Sequence, residues 1–244
     1  VDIYKKLFRK SSNSIYIYEN YLNSLIALNE EKDAENLVEK QIKNNQNGFN
    51  YLVDLAYVYV QFKQTDKANA YLDDLIRDFA DDRNAVNTLA QAMIRRQLTD
   101  KAITLYETAG KKQTILAFFG PLMNLYRQKG EYQKMIDLGL DVINIEDAAY
   151  DQVLRYLDVV YEKDEWSTYL QSQTLLYSQK HPNKTVFDEL LLEVYLQQKK
   201  YNAAVKQAIA MDKRNNEQGY RLLNMANLCI KNQEYDAAIK SYEY

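Results

Sequence analysis

The 244-residue sequence is poor in the residues that form sharp turns, disulfides and metal sites. It contains six glycines and two prolines, whereas folds rich in strands or loops need these residues at turn after turn. A single cysteine excludes an internal disulfide and a cysteine-rich metal site, and a single histidine argues against histidine-based chemistry. We therefore expect long helices joined by short polar turns.

The sequence also lacks a positive charge excess and a long apolar run. Its net charge is −3 and its pI is about 5.4, so it has no basic stripe to neutralise nucleic-acid phosphates. No apolar run approaches the roughly 18 to 20 residues that a membrane span needs. We expect neither nucleic-acid binding nor membrane insertion by this segment. No secretion signal is visible, and both a cytoplasmic and a periplasmic location stay open.

Catalytic motifs are missing as well. The sequence has no glycine-rich phosphate loop, no HExxH, no GxSxG and no CxxC. His181 lies in a polar turn, and Cys229 lies on an apolar helix stripe, as expected of a buried structural thiol. We predict that this segment is not an enzyme and has no catalytic residues, no cofactor and no metal.

What the sequence does have is an internal repeat. The repeats align on the residue that follows a polar turn and should pack against the preceding helix: Ala34, Ala68, Ala102, Met135, Tyr169, Ala204 and Ala238. The successive spacings are 34, 34, 33, 34, 35 and 34 residues. We call these seven positions anchors. Such a constant spacing indicates a tandem repeat of about seven units.

Each repeat carries two apolar stripes at helical spacing, separated by a short polar turn. In the second repeat, one stripe precedes the turn QFKQTD and the other follows it: Leu52, Leu55, Ala56 and Tyr59, then Ala68, Leu72, Leu75 and Ile76. This pattern predicts two antiparallel helices, with small residues such as Ala56 and Ala68 where the helices cross. Stacking successive hairpins would bury both faces of each one.

The period and the pattern within it resemble the tetratricopeptide repeat family. An aromatic residue follows the turn at Tyr132, Trp166, Tyr201 and Tyr235, another lies near the end of the first helix at Tyr59, Tyr126 and Tyr195, and five anchors are alanine. The resemblance covers essentially the whole chain. It implies an all-α fold, a right-handed α-solenoid of stacked antiparallel hairpins, and a role in binding proteins.

The predicted repeats span residues 15–48, 49–82, 83–115, 116–149, 150–184, 185–218 and 219–244, and residues 1–14 form the second helix of a preceding repeat. Both ends then fall inside repeats, so we predict that this chain is a segment of a longer repeat protein. We also expect weak end-to-end self-association between molecules of this segment. A composition rich in Lys, Asn, Ile and Tyr suggests a bacterial source.

Two departures from the family pattern lead to structural predictions. Met135 and Tyr169 replace the small anchor, so hairpins four and five should be splayed wider than the others. Pro121 falls inside the predicted first helix of repeat four, where a proline loses a backbone hydrogen bond and clashes with the preceding turn. We expect a kink or a late helix start near Phe119–Leu122.

In tetratricopeptide solenoids, one face of each first helix lines the concave groove. Residues spaced i, i+4 and i+7 share that face. The resemblance therefore predicts a peptide-binding groove at Tyr16, Asn20, Asn23, Asn50, Asp54, Tyr57, Asn84, Thr88, Gln91, Asn124, Asp151, Arg155, Asp158, Glu189, Glu193, Tyr220, Asn224 and Asn227.

The chemistry of these rows favours some partners over others. An asparagine side chain both donates and accepts hydrogen bonds, so Asn20, Asn23, Asn224 and Asn227 could hold the backbone of an extended peptide. Asp151, Asp158, Glu189 and Glu193 favour a basic partner segment, although solvated helix faces explain both sets too. Arg155 is the only basic residue on these rows, which excludes the family's clamp for chaperone-tail carboxylates.

Three functions fit this sequence. The leading one is a non-catalytic scaffold that binds an extended peptide or a partner protein in the groove. The second is a module that recruits substrates to an enzyme whose catalytic domain lies outside this segment. The third is a spacer that sets the distance between other domains. The identity of the partner is not encoded in the repeat pattern.

Overall fold

The computed structural model describes residues 1–11, 14–45 and 48–244, and all regular secondary structure in these ranges is helical. The chain divides into two compact units, unit 1 (Val1–Phe118) and unit 2 (Phe119–Tyr244). The all-α fold of stacked helical hairpins is confirmed. Residues 12–13 and 46–47, which belong to the predicted leading segment and first repeat, lie outside the described residues.

Unit 1 contains one leading helix and three helical hairpins. Its helices are α1 (Asp2–Lys10), α2 (Ile15–Ala27), α3 (Glu31–Asn44), α4 (Phe49–Gln61), α5 (Thr65–Phe79), α6 (Arg83–Arg95) and α7 (Thr99–Lys112). The hairpins pair α2 with α3, α4 with α5, and α6 with α7. First helices contact each other through α4 and α6, and second helices through α5 and α7, so the hairpins stack in two layers.

Unit 2 contains four hairpins. Its helices are α8 (Phe119–Lys129), α9 (Tyr132–Ile145), α10 (Tyr150–Leu157), α11 (Asp164–Lys180), α12 (Thr185–Gln197), α13 (Tyr201–Asn215), α14 (Tyr220–Lys231) and α15 (Tyr235–Glu243). Contacts of α9 with α11 and of α13 with α15 repeat the second-helix layer of unit 1. Short 3₁₀ turns at Asp147–Ala149 and Asp158–Glu162 flank α10.

The core lies between the two helix layers of each unit. The alanine anchors Ala34, Ala68, Ala102 and Ala204 are buried, as the close crossing of paired helices requires. Larger side chains such as Leu89, Met93 and Tyr106 fill the space around them. Burying each of these side chains stabilises the folded state by about 1.5 to 3 kcal/mol relative to leaving it exposed. The stability of the stack is then close to a sum of hairpin and nearest-neighbour contributions.

Among the described residues, the turn between the first and second helix is built in the same way in six of the seven hairpins. Each has a residue in the left-handed conformation five positions before the anchor: Asn29, Lys63, Gln97, Gly130, Lys199 and Gln233. The next amide bonds back to the first helix, as when Gln64 N donates to the Tyr59 carbonyl at 2.9 Å. This arrangement satisfies carbonyls that the helix end leaves unpaired and starts the second helix three residues before the anchor.

Hairpin five departs from this rule, and the predicted anchor at Tyr169 is wrong. Helix α11 begins at Asp164, so the position three residues after the helix start is Ser167, which is buried, whereas Tyr169 is half-buried. The first helix is short, because α10 ends at Leu157 and a 3₁₀ turn replaces the left-handed turn. The anchor is therefore Ser167, two residues before the predicted position. Because serine is small, the reason for expecting this hairpin to be splayed no longer applies.

Hairpin four keeps the predicted anchor. Met135 is fully buried there, and Gly139 follows one turn later on the same helix face. A Cβ atom on Gly139 would lie 2.9 Å from Val153 Cγ1 of α10, so only glycine permits this contact without a shift. A large anchor is thus combined with the smallest residue one turn away. The predicted wider crossing of this hairpin stays a prediction.

The prediction for Pro121 is confirmed. A 3₁₀ turn covers Ile115–Ala117, and α8 begins only at Phe119, which places Pro121 in the first helical turn. Proline is tolerated there because the first backbone amides of a helix have no intrahelical acceptor. The late start replaces the kink that an earlier helix start would force.

Candidate functional site

The predicted groove residues divide by exposure. Twelve are exposed: Tyr16, Asn23, Asn84, Thr88, Gln91, Asn124, Asp151, Arg155, Asp158, Tyr220, Asn224 and Asn227. Five are half-buried: Asn20, Asn50, Tyr57, Glu189 and Glu193. Asp54 is buried. We name the surface of α2, α4 and α6 that carries the predicted groove residues of unit 1 the first-helix face of unit 1, and that of α8, α10, α12 and α14 the first-helix face of unit 2.

Asp54 is the centre of a hydrogen-bonded network beneath the first-helix face of unit 1. Its Oδ2 accepts a hydrogen bond from the Tyr18 hydroxyl of α2 at 2.8 Å, and its Oδ1 accepts one from Arg96 Nε at 2.7 Å. The Arg96 guanidinium also lies 4.7 Å from the centre of the Tyr57 ring. One carboxylate on α4 therefore joins α2 to the end of α6.

This network explains why Asp54 lies inside the protein. A buried carboxylate is costly unless it is paired and hydrogen-bonded, and here a cation and a phenol meet both requirements. Burial, together with the charge of Asp54, raises the pKa of Tyr18 well above its usual range, so its hydroxyl remains a donor. Asp54 therefore lies beneath the face, and its charge is paired with that of Arg96 within the chain.

The face also carries a basic residue that the sequence prediction missed. Arg95 extends the row Asn84, Thr88 and Gln91 by one further turn, and its Nη2 donates to Asn50 Oδ1 at 2.6 Å. Arg155 is therefore not the only basic residue on the predicted rows. Continuing the i, i+4 spacing past Gln91 would have found Arg95. Helices α2 and α4 contain no lysine or arginine, so the three-helix carboxylate clamp is still not formed in unit 1.

Several amides on the first-helix face of unit 1 make no intramolecular bond. Among the described residues, the side chains of Asn23 and Asn84 have no hydrogen-bonding partner, and Tyr16 is 69% exposed. The Asn20 amide instead donates to the Tyr16 carbonyl of its own helix at 2.7 Å. The face thus offers aromatic and amide groups to a ligand, while the network around Asp54 holds the helices in place.

The first-helix face of unit 2 is arranged differently. Arg221 of α14 donates to both carboxylate oxygens of Glu189 on α12, at 2.7 and 2.8 Å, and its Nε donates to Glu217 at 2.7 Å. Hydrogen bonds from Arg221 and Asn215 lower the pKa of Glu217 to about 2. Glu189 is therefore paired within the chain, whereas Glu193, one turn further on, accepts a hydrogen bond from the neutral Gln197 amide at 2.7 Å.

A cleft of about 440 Å³ lies beside this pair, between α12 and α14. Its lining combines apolar side chains with a polar rim: Leu192, Leu196, Met225 and Leu228, with Glu217, Tyr220, Arg221 and Asn224. Its volume is within the range of small-ligand pockets, but its position on a helix face suits a side chain of a partner. The i, i+3 stripe on α12 makes Leu192 and Leu196 neighbours of Glu189 and Glu193.

Of the residues considered for chemistry in the sequence, Cys229 lies in the core, and His181 is half-buried in the turn after α11. Cys229 is fully buried, and burial raises the pKa of its thiol. The His181 ring packs 6.0 Å from the Phe187 ring. Across the described ranges, no group of histidine, cysteine or acidic residues is suited to a metal ion. None of the helices described is both long and apolar enough to cross a membrane.

Comparison with known proteins relates the chain to solved repeat structures. No protein-family model matches it, and neither does any curated protein. It is similar to a putative kinesin light chain with tetratricopeptide-like repeats from Podospora anserina, at 16% identity over 68% of this chain and 95% of that one, with a TM-score of 0.33. A tetratricopeptide repeat protein from Parabacteroides merdae is 12% identical over 100% and 92%, with a TM-score of 0.30.

A third similar structure is the tetratricopeptide repeat domain of P58(IPK), at 16% identity over 98% of this chain and 85% of that one, with a TM-score of 0.27. At such low identities and TM-scores, these likenesses add no detail about the site. The tetratricopeptide-type architecture rests on the chain's own paired helices, its buried anchors and its turns.

Proposed function

We propose that this chain is a non-catalytic scaffold that binds an extended segment of another protein on its first-helix faces. The observation that carries the proposal is the set of exposed amide and aromatic groups on the first-helix face of unit 1. Asn23 and Asn84 have unused side-chain amides there, and Tyr16 presents most of its ring to solvent. Carboxamides can pair with the peptide backbone of any sequence, and tyrosine adds contact area at low entropic cost.

A fixed supporting layer favours binding over a purely spacing role. The Asp54 carboxylate is bonded to Tyr18 and Arg96, so α2, α4 and α6 are held before any partner arrives. A preorganised surface loses less conformational entropy on binding than a mobile one. A spacer needs neither this buried ion pair nor unused donors on its surface.

The proposal is tested by partner capture with matched variants. The chain carrying Tyr16→Ala, Asn23→Ala and Asn84→Ala should lose a protein that the native chain retains from a lysate of its source organism. The control carries Asn36→Ala, Glu39→Ala and Asn69→Ala, three exposed changes on second helices, and should retain it. Helical content measured by circular dichroism should be unchanged in both.

Each alternative result has a defined meaning. Equal retention by both variants would place the binding surface outside the first-helix face of unit 1. Loss in the control alone would move it to the second helices. Retention of no protein by the native chain would favour the spacer and contradict the proposal.

A further inference from the structure

On α10 and α12, the first-helix face of unit 2 carries an excess of negative charge. Asp151 and Asp158 are exposed on α10 and the turn after it, and Glu189 and Glu193 lie half-buried on α12. Arg155 is the one cation on α10 and α12, whereas Arg221 of α14 is already bonded to Glu189 and Glu217, and Lys231 lies at the far end of α14. Such a surface repels phosphates and acidic segments and attracts basic ones.

Glu193 is the carboxylate best placed to receive a cation. Among the described residues, its hydrogen-bonding partner is the neutral amide of Gln197, which donates to Oε1 at 2.7 Å. Two half-buried phenols, Tyr150 and Tyr161, lie close enough to Glu193 for its charge, together with burial, to raise their pKa values. The Tyr161 oxygen is buried and has no hydrogen-bonding partner among the residues that the structure describes. Aromatic rings beside a carboxylate favour a lysine or arginine side chain.

An apolar cleft lies next to this carboxylate. Leu192 and Leu196 are one position before and three positions after Glu193 on α12, and both line the cleft between α12 and α14. Across the cleft, Met225 and Leu228 complete the apolar floor. Leu196 lies about one helical turn, roughly 5 Å along the axis, from Glu193, so the cleft opens beside this carboxylate.

We infer that the first-helix face of unit 2 binds a basic amphipathic segment of the partner, with an apolar side chain in the cleft between α12 and α14 and a lysine or arginine at Glu193. This inference rests on the proposed scaffold function and specifies the chemistry of its ligand. The apolar contact supplies buried area, and the charge contact selects the sign of the partner's charge. Nucleic acids and acidic segments are excluded by the same charges.

The inference is tested with two labelled peptides of equal length, one built from leucine and lysine and the other from leucine and glutamate in the same order. Fluorescence anisotropy with the full chain should show binding of the lysine peptide and at least tenfold weaker binding of the glutamate peptide. Glu193→Gln should weaken binding of the lysine peptide about tenfold. The matched control Glu165→Gln, an exposed change on second helix α11, should stay within about twofold of the native chain.

A second variant separates binding from folding. Asn224 is exposed on the rim of the cleft, so Asn224→Lys leaves the core intact while adding a positive charge beside the site. It should weaken the lysine peptide and leave helical content unchanged. Equal affinity for both peptides, no binding of the lysine peptide, or unchanged affinity in Glu193→Gln would overturn the inference.

These outcomes are independent of the test of the scaffold function. Partner capture that is lost with the unit 1 variant while the two peptides bind equally would reject the basic ligand and leave the scaffold proposal standing. Charge-selective peptide binding without any captured partner would reject the scaffold proposal as tested and leave the selectivity of this surface intact.

Discussion

Hairpin three and hairpin five form the same helix–turn–helix repeat, but their turns and helix lengths differ. In hairpin three, a 13-residue helix ends in a left-handed turn at Gln97, and the buried anchor Ala102 follows. In hairpin five, the first helix has eight residues, a 3₁₀ turn replaces the left-handed residue, and the second helix has 17 residues. The turn, more than the repeat length, therefore decides where the second helix begins.

The contacts that join neighbouring hairpins also differ between unit 1 and hairpin five. In unit 1, the buried Asp54 joins the first helices, and exposed ion pairs such as Lys101 to Asp73 join the second helices. Hairpin five reaches hairpin four through tyrosine hydroxyls on its second helix: Tyr169 donates to Asp137 at 2.9 Å and Tyr177 to Asp141 at 2.5 Å. Buried and exposed connections should respond very differently to mutation.

The largest expected effect comes from removing the buried charge of unit 1. Asp54→Asn should lower the free energy of unfolding of unit 1 by about 3 kcal/mol, because Arg96 loses the buried carboxylate that pairs with it. Tyr177→Phe, which removes an exposed hydrogen bond between hairpins four and five, should cost less than about 1 kcal/mol. Urea denaturation with hydrogen exchange resolved by helix measures both. Similar costs for the two variants would remove the distinction between buried and exposed connections.

The next effect tests the anchor of hairpin five. Ser167→Leu should destabilise the chain by about 2 kcal/mol, because Ser167 is buried and its hydroxyl accepts a hydrogen bond from Gln198 at the end of α12. Tyr169→Leu introduces the same side chain two residues away and should cost less than about 1 kcal/mol. Thermal and urea unfolding compare the pair directly. The reverse order would restore Tyr169 as the anchor.

A smaller effect of opposite sign should appear at the turns. Gln97→Gly should stabilise hairpin three by about 0.5 to 1 kcal/mol, because glycine adopts the left-handed conformation without the strain of a side chain. Glu162→Gly, at the end of the 3₁₀ turn of hairpin five, should destabilise by about the same amount. Shifts in the urea midpoint measure both signs. A gain in both variants would show that the two turns are equivalent.

The smallest effect concerns acid. The pKa of Glu217 is lowered from 4.5 to about 2, so its bond to Arg221 stabilises the fold fully above pH 4.5, and this stabilisation is lost as the pH falls through about 2. Protection of the amides at the start of α14 should therefore decrease between pH 4.5 and 2. Glu217→Gln should remove this part of the pH dependence, while the control Glu165→Gln keeps it. Identical profiles for all three chains would contradict the assignment.

Sequence periodicity was enough to predict the hairpins, six of the seven anchors and the late start of α8, because these follow from local spacing and from proline geometry. The anchor Ser167 was missed because the alignment assumed a nearly constant spacing between anchors, whereas a 3₁₀ turn in hairpin five shifts the start of the second helix. The burial of Asp54 was missed because its two partners, Tyr18 and Arg96, are 36 and 42 residues away in sequence. The face of a helix is a local property, but the pairing of a charge is not.

The single cysteine is a natural probe for the opening of hairpin seven. Cys229 is the only thiol in the sequence, it is fully buried on α14, and its pKa is raised by burial. A thiol reagent can attack it only after α14 separates from its neighbours, since the thiolate is the reactive form and needs access to solvent. The rate of labelling by such a reagent therefore reports how often this hairpin opens, without any engineered probe.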